Sequence, residues 1–152
     1  MDVKSDKIIE GISIRPLKII KDERGAVMHM LRNDSPEFTQ FGEVYFSLVH
    51  PGVVKAWKYH KKASQHFAVP TGKIKLVVLD NRSNSKSVNC INEIIMGRPS
   101  NYFLVTVPPM VWYGFQNISD QDSILTNCAD IAHMPEESLF QKDIPHGFEY
   151  CW

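Results

Sequence analysis

The sequence predicts an all-β fold, either a sandwich or a barrel. Short runs rich in β-branched and aromatic residues alternate with turn-forming clusters of Gly, Asp, Asn and Ser along most of the 152 residues. Helical periodicity is weak, and no repeat or interdomain linker interrupts the pattern. Short strands at such intervals favour packed antiparallel sheets over alternating strands and helices. The length suits one domain spanning residues 1–152.

The first strands lie on either side of a clear turn. Residues 12–20 form the first predicted strand, the sequence DERG at 22–25 forms a turn, and residues 26–31 return. Residues 36–42 are a polar connection to the next strand.

The later strands are separated by turn sequences such as DNRSNS and GRPSN. In the first of these strands, at 43–50, one face carries Val44, Phe46 and Leu48. Only PEES at 135–138 suggests a turn of helix, and the aromatic ending IPHGFEYCW is expected to pack on the barrel or on a partner subunit. The predicted strands in this part are 43–50, 73–79, 88–96, 102–107 and 124–128.

One stretch, GVVKAWKYHKKASQHFAVPTG at 52–72, combines strand periodicity with side chains that can bind or react. Strand alternation places Lys58 and His60 on one face and Trp57 and Tyr59 on the other. Lys58 and His60 are then roughly 6–7 Å apart along the strand. We expect this pair to face the inside of the barrel.

Charge and cysteine content narrow the class of protein. The 17 basic and 17 acidic residues cancel, so we expect no global attraction to nucleic acid or to a membrane surface. The three cysteines show neither metal-binding spacing nor a disulfide framework, which is typical of a reducing compartment. No stretch is apolar enough for a signal peptide or a membrane span. A cytoplasmic protein is expected.

Four sequence elements follow one another along the chain. They are Asp22-x-Arg24-Gly25, GVVKAWKYH at 52–60, VPPMVWYGF at 107–115, and a closing Pro135-Glu136-Glu137 with Trp152. Their order and spacing resemble the RmlC-like cupins, which include the dTDP-4-dehydrorhamnose 3,5-epimerases and relatives acting on nucleotide-linked 4-keto-6-deoxy sugars. The resemblance implies a double-stranded β-helix (jelly roll), a homodimer and a nucleotide-sugar ligand.

The spacing of Gly52, His60, Gln65 and Gly72 also resembles the first cupin motif, in which His-x-His and a Glu hold a metal ion. Lys58 and Gln65 stand at the positions of the first His and the Glu, and Tyr113 stands at the His of the second motif. Only His60 remains of the ligand types, and an ammonium at Lys58 repels a cation. We therefore expect no metal and no cofactor.

The resemblance to the epimerases also implies that the catalytic residues of that family are replaced in this sequence. The general base position is Lys58 and the general acid position is Asn127. The carboxylate that orients the base belongs to a C-terminal extension that is expected to be absent after Trp152. The sugar 3,4-ketoisomerases are a second resemblance, because the chain has KYHK at 58–61 and PMVW at 109–112.

These resemblances imply a set of candidate site residues. His60 is the candidate base, and Lys58 is expected to lower the His60 pKa by like-charge repulsion and to stabilise an enolate oxygen. Arg24 and Lys55 are expected to bind the diphosphate through charge-assisted hydrogen bonds. The remaining candidate substrate-binding residues are Gln65, Tyr113 and Asn127.

Two hypotheses about function stay open. The first is a metal-independent isomerase or epimerase of nucleotide-linked keto sugars, in polysaccharide or deoxysugar biosynthesis. The second is a non-catalytic sugar-nucleotide-binding or structural protein of the same pathway. Arg24, Lys55 and His60 favour the first hypothesis. The substitutions at Lys58, Tyr113 and Asn127 favour the second.

Overall fold

The computed structural model describes residues 3–4 and 7–152, with side chains from residue 7 onward, and it confirms an all-β fold. A three-residue 3-10 helix, Pro135–Glu137, precedes the last strand. Within these residues, no helix has the length and apolar character that crossing a membrane requires. The strands are β1 Val3–Lys4, β2 Ser13–Pro16, β3 Ile19–Asp22, β4 Gly25–Met28, β5 Glu43–Val49, β6 Val54–His60, β7 Gln65–Thr71, β8 Lys73–Leu79, β9 Ile91–Gly97, β10 Phe103–Val107, β11 Trp112–Asn117, β12 Ser123–Ala129 and β13 Ser138–Phe140.

Two antiparallel sheets face each other. Sheet I has the strand order β1-β9-β8-β11-β6-β13, and sheet II has the order β2-β10-β7-β12-β5. Strands β5 to β12 therefore form two four-stranded layers, β9-β8-β11-β6 and β10-β7-β12-β5, the arrangement of a jelly roll. The hairpin of β3 and β4 is a separate two-stranded sheet. The double-stranded β-helix fold expected from the resemblance is confirmed.

The main hydrophobic core lies between the sheets. Ile74, Leu76 and Val78 on β8 belong to it and are fully buried. The intervening Val77 and Leu79 are equally buried in a second cluster. Strand alternation places these two residues on the outer face of sheet I. Both faces of β8 are thus covered, which explains its nearly continuous apolar sequence.

The C-terminal segment covers the outer face of sheet I. The Trp152 ring centroid lies 5.1 Å from that of Trp57. The Tyr150 ring contacts Trp57 in an edge-to-face arrangement, with 6.1 Å between the ring centroids. The Tyr150 hydroxyl donates a hydrogen bond to Glu93 at 2.7 Å, and Lys75 Nζ lies 5.4 Å from the Trp152 ring. The aromatic ending packs on the barrel, which was one of the two expected outcomes.

Three predicted strands have different bounds in the structure. The strand predicted at 12–20 is divided into β2 and β3, and the one predicted at 26–31 ends at Met28. Residues 88–90 form a loop before β9. The loop is fixed by the buried Asp80 carboxylate, which accepts hydrogen bonds from Arg82, Ser85 and Ser87. Asn89 has a φ of 64°, in the left-handed region that a strand does not use. These local contacts explain why the β-rich sequence at 88–90 is not paired.

Strands β1, β11 and β13 lie outside the predicted strands, and the prediction does not divide the 52–72 stretch into the separate strands β6 and β7. The β7 sequence contains Gln65, His66 and Pro70, and β11 contains Gly114, all of which weaken a strand signal. Both β7 and β11 are central strands with a hydrogen-bonded neighbour on each side. Pairing with strands distant in sequence therefore outweighs local preference here.

Candidate active site

A cavity lies between the two sheets, and Tyr45 and Lys58 line both of its adjoining parts. The first part, here called the aromatic pocket, has a volume of about 180 Å³ and is otherwise lined by Ser47, Lys55, Ala56, Trp57, Phe67, Tyr113, Phe115, Leu125 and Phe140. The second part, the polar pocket, has a volume of about 310 Å³ and is otherwise lined by Glu43, His60, Gln65, Ala129, Ile131, His133 and Glu137. A ligand that occupies both parts can therefore contact the apolar wall of the aromatic pocket and the hydrogen-bonding groups of the polar pocket.

A bulge in β6 brings two lysines to the cavity. Lys58 is paired with Tyr113 on β11, and Lys55 is paired with Phe115, so three steps along β6 match two along β11. Paired residues share a face of the sheet, and therefore Lys55 and Lys58 both face inward. Strand alternation alone would place Lys55 on the opposite face from Lys58. Lys55 Nζ also donates a hydrogen bond to the Leu48 carbonyl at 2.9 Å, linking β6 to β5.

His60 lies in a buried chain of hydrogen bonds. Its Nδ1 is 2.6 Å from Glu137 Oε2, and its Nε2 is 3.2 Å from the Tyr113 hydroxyl. The other Glu137 oxygen accepts the backbone N–H groups of Lys62 at 2.9 Å and Ala63 at 2.8 Å. Glu137 is the main residue that the sequence prediction missed. It lies in the Pro135-Glu136-Glu137 element, but it is 77 positions from His60.

Burial and hydrogen bonding determine the protonation states of His60, Glu137 and Tyr113. Burial lowers the pKa of His60 below 6.5, and the charge of Lys58 contributes, while Glu137 opposes the change. Burial would raise the pKa of Glu137, but hydrogen bonds from Ala63, His60 and Lys62 bring it below 4.5. Burial also raises the pKa of the Tyr113 hydroxyl well above 10.0. Neutral His60 then donates Nδ1–H to the Glu137 carboxylate and accepts the Tyr113 O–H at Nε2.

A second polar group joins β5, β7 and β12. Asn127 Nδ2 donates hydrogen bonds to Gln65 Oε1 at 2.6 Å and to the Tyr45 oxygen at 2.8 Å. Gln65 Nε2 and Asn127 Oδ1 are buried and have no hydrogen-bond partner among the residues that the structure describes. Gln65 lines the polar pocket, whereas Asn127 lies behind it and lines neither pocket. The free Gln65 amide N–H is available to a ligand hydroxyl.

Arg24 lies apart from the other predicted site residues. Its side chain is 83% exposed at the β3–β4 turn and is paired with Asp22 at 2.6 Å. It lines neither part of the cavity. The structure therefore brings together Lys55, Lys58 and His60 within one chain, but not Arg24.

The described side chains do not form a metal site. Across the part of the chain that the structure describes, no three His, Cys, Asp or Glu residues are grouped so that they can hold an ion. At the positions where cupins hold a metal, the side chains include the ammonium of Lys58 and the amide of Gln65. Neither suits a divalent cation beside a single imidazole.

Comparison with known proteins identifies related sequences over most of the chain. Residues 6–148 match the model of a family described as dTDP-4-dehydrorhamnose 3,5-epimerase. The chain is 31% identical over 137 residues to the probable low-salt glycan biosynthesis epimerase Agl13 of Haloferax volcanii, and the match covers 86% of this chain and 87% of that protein.

Solved structures share the fold. A dTDP sugar isomerase from Desulfovibrio desulfuricans G20 is 46% identical, with a TM-score of 0.87 over 88% of this chain and 85% of that one. ChmJ, a 3'-monoepimerase from Streptomyces bikiniensis in complex with dTDP-quinovose, has a TM-score of 0.78 over 87% of this chain and 70% of that one. At 18% identity, the ChmJ comparison shows likeness of fold alone.

Proposed function

Because the chain belongs to the dTDP-4-dehydrorhamnose 3,5-epimerase family, we propose that it is a metal-independent isomerase or epimerase of nucleotide-linked 4-keto-6-deoxy sugars. The similarity to a glycan biosynthesis epimerase supports a role in making a polysaccharide or a deoxysugar. The 46% identity to a dTDP sugar isomerase supports a dTDP-linked substrate. All three cysteines are unpaired, which supports a reducing compartment such as the cytoplasm.

The observation that carries this proposal is the buried Glu137–His60–Tyr113 chain beside Lys58. Removing a proton next to a ketone requires a base and a group that stabilises the enolate oxygen. His60 is neutral and can accept a proton, and Glu137 stabilises the imidazolium that forms. Lys58 lines the same cavity, and its ammonium is the group to which we assign stabilisation of the enolate oxygen. A carboxylate that orients a neutral imidazole is an arrangement that general-base catalysis uses.

Binding of the nucleotide is assigned to basic groups at the cavity and on the hairpin. Lys55 lines the aromatic pocket and is exposed to an incoming diphosphate. Arg24 projects from the β3–β4 turn, and we propose that it reaches a diphosphate held by a second copy of the chain in a homodimer. Gln65 and Tyr113 border the sugar, and Asn127 supports Gln65 from behind.

One observation favours the alternative, a non-catalytic sugar-nucleotide-binding protein. Both ring nitrogens of His60 are bonded within the protein, to Glu137 and to Tyr113. No ring nitrogen is left to touch a substrate directly. In this alternative, the chain of hydrogen bonds serves only to hold β6, β11 and the 135–137 helix together.

Solvent exchange separates the two functions. The protein is incubated in D₂O with dTDP-4-keto-6-deoxyglucose, and NMR follows deuterium at C3 and C5. We expect incorporation at one or both carbons and a loss of about 10²–10⁴ in rate for His60→Asn. His50→Asn, at a side chain that is 72% exposed outside the cavity, is the matched control and should behave as wild type. Binding of the sugar without exchange would establish the alternative.

A further inference from the structure

The geometry around His60 shows where a proton has to leave the substrate. His60 is 7% exposed, and its Nε2 faces the Tyr113 hydroxyl at 3.2 Å. A proton that reaches this nitrogen from the aromatic pocket therefore passes through Tyr113. Nδ1 is turned away toward Glu137 and cannot accept it.

Tyr113 occupies one wall of the cavity. It lies on β11 in sheet I, paired with Lys58 on β6, and it lines the aromatic pocket. Its ring packs against Phe67, with 5.3 Å between centroids, and stacks parallel to His60. Its hydroxyl contacts His60, which lines the polar pocket, and therefore lies where the aromatic and polar pockets meet. Lys58, its strand partner, lines both pockets from the same face of sheet I.

Tyr45 occupies the opposite wall. It lies on β5 in sheet II and lines both pockets. Its oxygen accepts a hydrogen bond from Asn127 at 2.8 Å, but among the described residues its own O–H has no acceptor. Burial raises the pKa of Tyr45 above 10.0, so the phenol keeps its proton at neutral pH. An O–H donor with no acceptor is thus available to a ligand opposite Tyr113.

We propose that Tyr113 removes a proton from one face of the sugar carbon next to the ketone and that Tyr45 returns a proton from the other face. This inference rests on the proposed function and makes the reaction an epimerisation. A shift of the ketone along the ring needs one proton-transfer group on one face. Inversion of a carbon needs two groups on opposite faces, which is what the two sheets supply.

The proton transfers balance without any other reactant. The substrate C–H proton moves to the Tyr113 oxygen while the Tyr113 phenolic proton moves to His60 Nε2. This leaves an enolate beside the Lys58 ammonium and an imidazolium beside the Glu137 carboxylate. Tyr45 then gives its proton to the same carbon from the opposite face. Water restores the Tyr45 proton, and the imidazolium returns its proton to water through Tyr113.

Three phenylalanine variants test the assignment with the same keto sugar in D₂O. Tyr113→Phe should lower both exchange and inversion by at least about 100-fold. Tyr45→Phe should still exchange the proton but return it to the original face, so deuterium enters without the inverted product. Tyr59→Phe, on the outer face of β6 against Trp112, should match wild type. Calorimetric titration with dTDP should give the same affinity for all three variants and so verify that each is folded.

The outcomes separate this inference from the proposed function. If wild type exchanges and Tyr113→Phe keeps that rate, or Tyr45→Phe still inverts the carbon, the tyrosine assignment is wrong and the proposed function stands. A wild-type product with a shifted ketone and no inverted carbon also overturns the assignment. If wild type binds the sugar and never exchanges a proton, the proposed function fails, and the tyrosine roles fail with it.

Discussion

At the scale of single residues, the Glu137–His60 pair shows how a buried ionisable group is kept in one state. Three N–H groups, from Lys62, Ala63 and His60, satisfy the two Glu137 oxygens. Burial would protonate an isolated carboxyl group, but three donors hold it ionised. His60 then remains neutral because the cost of burying an imidazolium exceeds the attraction of one carboxylate. In this protonation state, His60 can accept a proton while Glu137 remains ionised.

The stability of the protein should depend on pH through His60. Its pKa in the folded state is below its ordinary value of 6.5, so the unfolded chain binds more protons as the pH falls through 6.5. We expect the free energy of unfolding to decrease between pH 6.5 and 4.5, above the ordinary pKa of Glu137. Urea unfolding measures this dependence. His60→Asn should flatten it, and an equal slope in that variant would contradict the assignment.

At the scale of elements, the fit between β6, β11 and the C-terminal segment depends on a missing side chain. A Cβ atom at Gly114 would lie 2.5 Å from the Ala56 Cβ and 3.0 Å from the Trp152 ring. Gly114 follows Tyr113 at the site of the bulge that turns Lys55 inward. Close backbone approach at this position therefore shapes both the outer aromatic cluster and the lysine pair in the cavity.

Gly114→Ala should destabilise the protein by about 1–3 kcal/mol, because the added methyl group overpacks a filled site. Urea unfolding measures the loss. In the double variant Gly114→Ala with Ala56→Gly, the closest clash is removed and part of the stability should return. If the double variant loses the sum of the two single changes, the contact with Ala56 is not the cause.

The exposed β3–β4 hairpin leads to a prediction about binding. Arg24 makes its only hydrogen bonds with Asp22, among the described residues, and its guanidinium remains largely exposed to solvent. We expect Arg24→Ala to weaken dTDP binding at least tenfold, about 1.4 kcal/mol, as measured by calorimetry. Lys21→Ala removes a positive charge from the same hairpin and is the control. Equal affinity in Arg24→Ala would remove this residue from the site.

At the scale of the whole molecule, no described residue covers the outer face of β5. Val44, Phe46 and Leu48 alternate along this edge strand of sheet II and are 50%, 71% and 51% exposed. Apolar residues in a row on an edge strand are typical of a surface that pairs with another chain. This exposed row supports the homodimer that we propose, with a two-fold arrangement that brings β5 of each copy into contact.

Phe46→Glu should convert the dimer into a folded monomer, because it places a charge at the centre of the apolar row. Sedimentation equilibrium measures the mass, and circular dichroism verifies the β structure. Val88→Glu, a charge at another exposed apolar residue, in the loop before β9, is the control and should leave the dimer intact. A wild-type protein that sediments as a monomer, or a Phe46→Glu variant that remains a dimer, would contradict the interface.

The sequence by itself determined the fold class and several of the residues that line the cavity. Periodicity and turn chemistry are local properties, and they placed strands β5, β8 and β10 correctly and put Lys58 and His60 on one face. The order of the motifs also identified Gln65 and Tyr113 as cavity residues. These inferences hold because a strand fixes side-chain direction over a few residues whatever lies across from it.

The partners of these residues were decided only by the tertiary structure. Glu137 reaches His60 across 77 positions, and Tyr45 faces Tyr113 from the other sheet. The inward turn of Lys55 arises from a bulge that exists only in the pairing of β6 with β11. No local pattern encodes these contacts, because they depend on which strands pair and in what register. That choice minimises the free energy of the entire barrel, not of any one stretch of chain.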